Sequence, residues 1–281
     1  MIAIEKGGAR LVFAPEVGGA VAAFTVDGRD VLRPMAAGAE DALLTASFPL
    51  VPFCNRIPNG QFVFEGRTVT LPPNLQGHPH PLHGQGWRAP WALESAEAGQ
   101  AVLAFAHSAG DWPWSYRAEQ AFVLDETGFR VTLTITNTGE DVMPAGLGFH
   151  PYFPARAGER LAALNDGVWL IDADVLPTVH QAGRWGPDWA AGAPVAGHAL
   201  IDHCYTGWNQ RAVLSAPGQP DTVLTASPDC AWLHVYVPPG EDYYCVEPCA
   251  SRPNPFGEGE TGMTVLRPGE HRSIWMEIAT G

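Results

Sequence analysis

The residues best suited to chemistry are carboxylates and imidazoles placed beside prolines. The run Tyr243-Tyr244-Cys245-Val246 is β-forming and delivers one carboxylate, Glu247, followed at once by Pro248. Proline gives no N–H to a ladder, so the strand is expected to stop there and leave Glu247 at a sheet rim. His150 follows the same grammar: Gly148-Phe149 leads to His150 and Pro151. Asp202 comes after the apolar pair Leu200-Ile201. A histidine and a glutamate projecting from strand ends suit an acid/base pair, because imidazole titrates near neutrality and burial raises a carboxyl toward it. Read alone, Glu247 is better explained as an ordinary strand end facing water.

Two further stretches carry polar groups that a plain core or surface would not require. Asn55-Arg56-Ile57-Pro58-Asn59-Gly60 frames an arginine with turn formers, and its planar fork suits a carboxylate or a set of hydroxyls. The other is His78-Pro79-His80-Pro81-Leu82-His83-Gly84, with Trp87 and Trp91 behind it. Three histidines in six residues suggest a metal. Prolines 79 and 81 stiffen the segment, however, and no Cys/His companion completes a zinc spacing, so no metal is expected.

The elements that must position these groups read as strands. Ala20–Val26 precedes an Asp-Gly turn, and 62–64 and 68–71 flank Glu65-Gly66 as a hairpin. Residues 101–107 and Tyr116–Leu124 alternate, and 129–136 is the clearest two-faced strand. Asn137-Thr138-Gly139 is expected to turn that strand into 142–149. Thr222–Ala226, Trp232–Val237, 243–246, Thr264–Leu266 and 273–278 follow, while 155–199 reads as long loops over one face. Thirty-one glycines and 26 prolines without a period supply turns rather than long helices. The expectation is all-β: a large antiparallel β-sandwich with few short helices, one domain over 1–281.

Composition narrows the partners. With 46% hydrophobic and 16% charged residues a substantial core is affordable to the chain. A net charge of −14 argues against nucleic acid and anionic membrane. There is no 18-residue apolar run, and residues 1–10 carry charges where a signal peptide needs apolar ones, so a cytoplasmic protein is expected. Five cysteines, an odd number with no Cys-x-x-Cys pair, are expected reduced and buried. Ten tryptophans suit stacking on sugar faces, although most of them belong in a core.

The chain resembles the aldose 1-epimerase (mutarotase) family, a galactose mutarotase-like fold. The motifs run in order: Gly18-Gly19, Asn-Arg-Ile-x-x-Gly-x-Phe at 55–62, Leu-His-Gly at 82–84, Trp91, His-Pro-Tyr-Phe at 150–153, Asp202 before Tyr205, and Glu247. The resemblance implies that Glu247 takes the proton from the anomeric hydroxyl of a free monosaccharide and His150 protonates the ring oxygen. Arg56, His83 and Asp202 would orient the sugar, with neither metal nor cofactor needed, and a monomer is the default. The segment Gln85–Trp91 departs from the glycine-rich form of galactose mutarotases toward shorter bacterial relatives. Arg252 after Glu247 is a candidate for an anionic sugar substituent. Competing readings are a glycoside hydrolase using Asp202 and Glu247, a carbohydrate-binding module, and an epimerase of a phosphorylated or sulfonated sugar, whose anion pocket would draw on Arg56, Arg88, Arg117 or Arg252.

Overall fold

The computed structural model describes residues 1–281 and contains strands, four short 3-10 turns and no α-helix. Two large antiparallel sheets form the body. One runs in the order Ile2–Lys6, Ala9–Ala14, Ala20–Val26, Ser47–Leu50, Gly148–Pro154, Tyr243–Cys249, Trp232–Val237, Ile201–Thr206, Gly167–Ile171, Pro177–Ala182, with the short Arg29–Asp30 strand off Ala20–Val26. The other is nine-stranded and centres on His271–Thr280 between Thr222–Ala226 and Gly128–Asn137. No helix is long and apolar enough to cross a membrane.

The sheets meet through aromatic pairs, Phe13 on Phe122 at 4.7 Å and Phe24 on Phe129 at 4.9 Å between ring centroids. These rings belong to one continuous core, and burying each contributes roughly 1.5–3 kcal/mol. Because strand side chains alternate, the central strands of the longer sheet send one set into that core and the other set out. Leu233, Val235 and Val237 face in, as do Phe149 and Phe153. Trp232, His234 and Tyr236 take the opposite face, with His150, Tyr152, Cys245 and Glu247. A second apolar cluster covers part of this outer face, joining Phe48, Tyr152, Cys204, Trp232, Cys245 and Cys249 to Leu82 and Trp87 of the loops. The functional site lies there.

Ala20–Val26, Tyr116–Leu124, Thr222–Ala226, Trp232–Val237 and Thr264–Leu266 fall at the expected bounds. Three expectations are corrected. Residues 155–199 hold real strands, Arg160–Ala163, Gly167–Ile171 and Pro177–Ala182, whose weak alternation reflects their position toward the sheet edges, with the last of them mostly exposed. Residues 142–149 do not return against 129–136: Met143–Ala145 pairs Thr264–Leu266, and the chain then enters the other sheet as Gly148–Pro154. Finally, neither Pro151 nor Pro248 ends its strand. Both lie inside, and Pro248 pairs in register with Leu233 and Pro151 with Ser47. Between their two strands the ladder is paired at Gly148/Cys249 and resumes at Tyr152/Cys245. The prolines, lacking N–H donors, fall in the unpaired interval.

Candidate active site

That interval holds the two residues of greatest chemical interest. The register on either side sets His150 opposite Glu247. Their side chains approach to 3.4 Å, Nε2 to Oε1, with 6% of His150 and 2% of Glu247 exposed. The pair therefore sits in mid-sheet rather than at a rim. Burial acts on the two in opposite directions. It lowers His150 to about 3, helped by the charge of His234 and opposed by Asp202. It raises Glu247 well above the usual carboxyl range, with the Asp202 charge adding and Arg56 opposing. The Phe48 and Tyr152 rings lie near-parallel to the imidazole, at 4.5 and 4.7 Å between centroids, and hold it in place.

Asp202 lies two strands over, on Ile201–Thr206, with Trp232–Val237 between. That intervening strand supplies His234, in register with Glu247 on one side and Cys204 on the other. His234 Nε2 and Asp202 Oδ1 are 2.6 Å apart, and Arg56 Nη1 stands 3.9 Å from Oδ2. Burial alone would raise the Asp202 carboxyl, but the His234 hydrogen bond and charge, with Arg56, hold it below its ordinary value. Asp202 is thus an anchored carboxylate with both oxygens engaged, which weakens its candidacy as half of a hydrolase pair.

Arg56 and His83 reach the site on two loops that run antiparallel beside each other. Asn55 and His83 both adopt left-handed backbone, φ 57° and 58°. The Asn55 N–H donates to His83 Nδ1 at 3.0 Å, and the His83 N–H donates to the Asn55 carbonyl at 2.9 Å. With Nδ1 accepting, the ring proton of neutral His83 lies on Nε2. Burial, then the charges of His150, Arg56 and His234, keep His83 well below its ordinary value and hence neutral. Non-glycine residues held at φ > 0 cost of order 1–3 kcal/mol each and persist where surroundings over-determine them. Gly84 explains the tight fit, since a Cβ there would come within 2.4 Å of the Val51 carbonyl oxygen.

All five predicted residues, Arg56, His83, His150, Asp202 and Glu247, line one cleft of about 580 Å³, a size that suits a small ligand. His234, Tyr236, Arg33 and Asn55 line it too and were not singled out as site residues from the sequence. The alternation Trp-Leu-His-Val-Tyr-Val of 232–237 carried the signal for His234 and Tyr236: two polar groups on the face opposite Leu233 and Val235. The Arg33 guanidinium packs on Tyr152 and Tyr243, its Cζ 3.9 and 4.3 Å from their ring centroids. No tryptophan lines the cleft.

The histidine cluster disperses. His80 Nδ1 accepts from the Asn59 N–H while His78 reaches the cleft wall. Arg252 does not reach the cleft. It is buried with its guanidinium donating to the carbonyls of Pro253, Glu258 and Glu260, over the Trp169 ring. Arg117 pairs with Glu94 and Glu119 at the surface, and Arg88 binds the Asn74 carbonyl. The five cysteines are all free and buried.

The antiparallel sandwich is that of galactose mutarotase-like structures, and it carries a buried histidine–glutamate pair on the outer face of one sheet. The aldose 1-epimerase family model matches residues 1–279, and the chain belongs to that family. The uncharacterized Escherichia coli protein YphB is 31% identical over 93% of this chain and 92% of its own length. A galactose mutarotase-like protein from Clostridium acetobutylicum superimposes with a TM-score of 0.89 over 99% of this chain and 94% of that one, at 20% identity. The galactose 1-epimerase of Lactobacillus acidophilus superimposes at 0.81, over 99% and 93%, with 16% identity, which bears on fold alone.

Proposed function

We propose that the protein is an aldose 1-epimerase, interconverting the α and β anomers of a free monosaccharide. One observation carries the reading: a buried imidazole and a buried carboxyl face each other at 3.4 Å in a sugar-sized cleft. Glu247, as carboxylate, removes the proton from the anomeric hydroxyl. His150, as imidazolium, delivers one to the ring oxygen, so the C1–O5 bond breaks and the aldehyde forms. Rotation about C1–C2 and closure on the other carbonyl face, with both proton transfers reversed, gives the second anomer. Protons balance over the cycle.

Burial lowers His150 and raises Glu247, and so favours the uncharged imidazole and the protonated carboxyl, one proton for the pair. The working ion pair is the tautomer of that state, reached by moving the same proton to His150, and a macroscopic titration belongs to the pair rather than to either member. His83 presents its Nε2–H to a sugar oxygen, Arg56 offers guanidinium donors, and Asp202, oriented by His234, accepts from a hydroxyl. Each positioned acid or base typically contributes ~10²–10⁴-fold. That is ample for a reaction already proceeding in water.

The test is the rate of anomer interconversion for freshly dissolved α-D-glucose, α-D-galactose and L-arabinose, by polarimetry or saturation-transfer NMR. Acceleration of any one of them, beyond buffer, is the expected result. Binding without acceleration of all three would replace the enzyme with a carbohydrate-binding protein.

A further inference from the structure

Cys245 has no part in this acid/base chemistry and does not line the cleft, but it lies buried beside the pair on the same sheet face. It lies two residues before Glu247 on one strand, so both point out of the same face. A ring nitrogen of His150, the Cys245 sulfur and a Glu247 oxygen all lie within 4.8 Å of one another, and all three residues are buried. Imidazole, thiol and carboxyl are the donor types of zinc sites. The distances agree as well. A tetrahedral zinc about 2.0–2.2 Å from nitrogen and oxygen holds those two atoms about 3.3–3.6 Å apart, and His150 Nε2 stands 3.4 Å from Glu247 Oε1. A sulfur at about 2.3 Å from the ion needs a shift of about 1 Å at most, within the reach of a cysteine χ1 adjustment.

We propose that the cleft floor binds one thiophilic divalent cation of the zinc type through His150, Cys245 and Glu247, with a fourth position open to the cleft, and that this cation inhibits anomerisation. Zinc or cadmium is favoured over magnesium or calcium because a thiolate is a soft ligand. The bound ion takes the lone pairs of both catalytic groups, so cation and sugar compete. Capture displaces one proton from the thiol and one from the carboxyl. Because both groups must give up their protons to bind, affinity rises with pH. The inhibitory half rests on the aldose 1-epimerase reading; the binding half does not.

The full-length protein is titrated with Co²⁺ as spectroscopic probe, then with Zn²⁺. The expected result is one equivalent of cobalt with a thiolate-to-cobalt charge-transfer band, displaced by one equivalent of zinc. Cys245→Ser loses the band and weakens zinc by more than the roughly 10–100-fold that loss of an outer partner costs. It keeps its anomerisation rate and becomes insensitive to zinc, whereas Cys204→Ser, which removes a neighbouring buried thiol, behaves as wild type. If Cys245→Ser does not fold, Glu247→Gln must weaken zinc by a comparable factor. Absence of the band in the wild type, or its persistence in Cys245→Ser, overturns the site. Undiminished turnover at saturating zinc overturns the inhibition. Should no aldose be turned over at all, the function proposed above fails while the cobalt spectrum still decides the site.

Discussion

His150 and Glu247 share one proton between two groups that burial perturbs in opposite senses, and two predictions follow from that sharing. The first concerns pH. Below about 3, where His150 gains its own proton, the pair holds two protons and no base. Above the raised Glu247 value the pair holds none and has no acid. Activity is therefore expected to stay level through the weakly acidic range, where ordinary histidine catalysis would fade, and to decline on the alkaline side. Log kcat/KM measured from about pH 4 to about 9, after subtracting spontaneous mutarotation, checks this; a loss centred on the ordinary histidine value would contradict it. The second concerns Glu247→Gln. A carboxyl whose folded value is raised contributes stability below its unfolded value and loses it as pH rises through the folded value. At neutral pH the wild type carries that cost, and the amide does not. The variant should lose ~10²–10⁴-fold in rate while melting no lower than wild type at pH 7, and its advantage should shrink toward pH 4. A collapse in Tm would mean that Glu247 is structural.

At the scale of elements, the site depends on two loops locked together by reciprocal hydrogen bonds at Asn55 and His83, and on Gly84 fitting under Val51. Gly84→Ala and Gly77→Ala separate contact from backbone conformation. Both glycines have positive φ, 76° and 79°, but a Cβ at Gly84 meets the Val51 carbonyl at 2.4 Å and one at Gly77 meets nothing within 4 Å. Gly77→Ala should cost only about 1 kcal/mol of αL strain, and Gly84→Ala more than that, with a raised KM because His83 is displaced. Equal Tm losses in thermal unfolding would show that the contact is unimportant. The same contrast bounds what the sequence could reveal. Tyr116–Leu124 was legible to the residue because one face is buried and the other is not, and Trp232–Val237, buried on both faces, by its β-forming run. Pro151 and Pro248 misled because local grammar reports a missing donor, not whether a neighbouring strand would have used it. His83, Arg56 and Asp202 were legible as motif residues. Their hydrogen-bond partners were not, since Asn55 meets His83 across 28 residues and His234 meets Asp202 across 32.

For the whole molecule, a net charge of −14 surrounds a cleft whose walls mix signs: Arg33 and Arg56 against Asp202 and Glu241. Such a field scarcely acts on a neutral aldose, but it repels an anionic sugar over distances that salt controls. The Debye length falls from about 30 Å at 0.01 M to about 3 Å at 1 M. For a neutral aldose, kcat/KM should be nearly constant over that range. For a phosphorylated or sulfonated sugar approaching through the acidic exterior it should rise with salt, because screening removes the repulsion. Arg33 sharpens the comparison. It makes no ion pair, gives Nη2 to the carbonyls of Leu43 and Thr45, and packs on the Tyr152 and Tyr243 rings. If it served as an anion anchor, local attraction would oppose the global field and kcat/KM for the anionic sugar would fall with salt instead. Measuring kcat/KM for one neutral and one anionic aldose across this range, in wild type and Arg33→Met, therefore reads the substrate's charge from the sign of a slope. A flat neutral slope beside a rising anionic one, unchanged by Arg33→Met, is the outcome expected of a neutral-sugar epimerase.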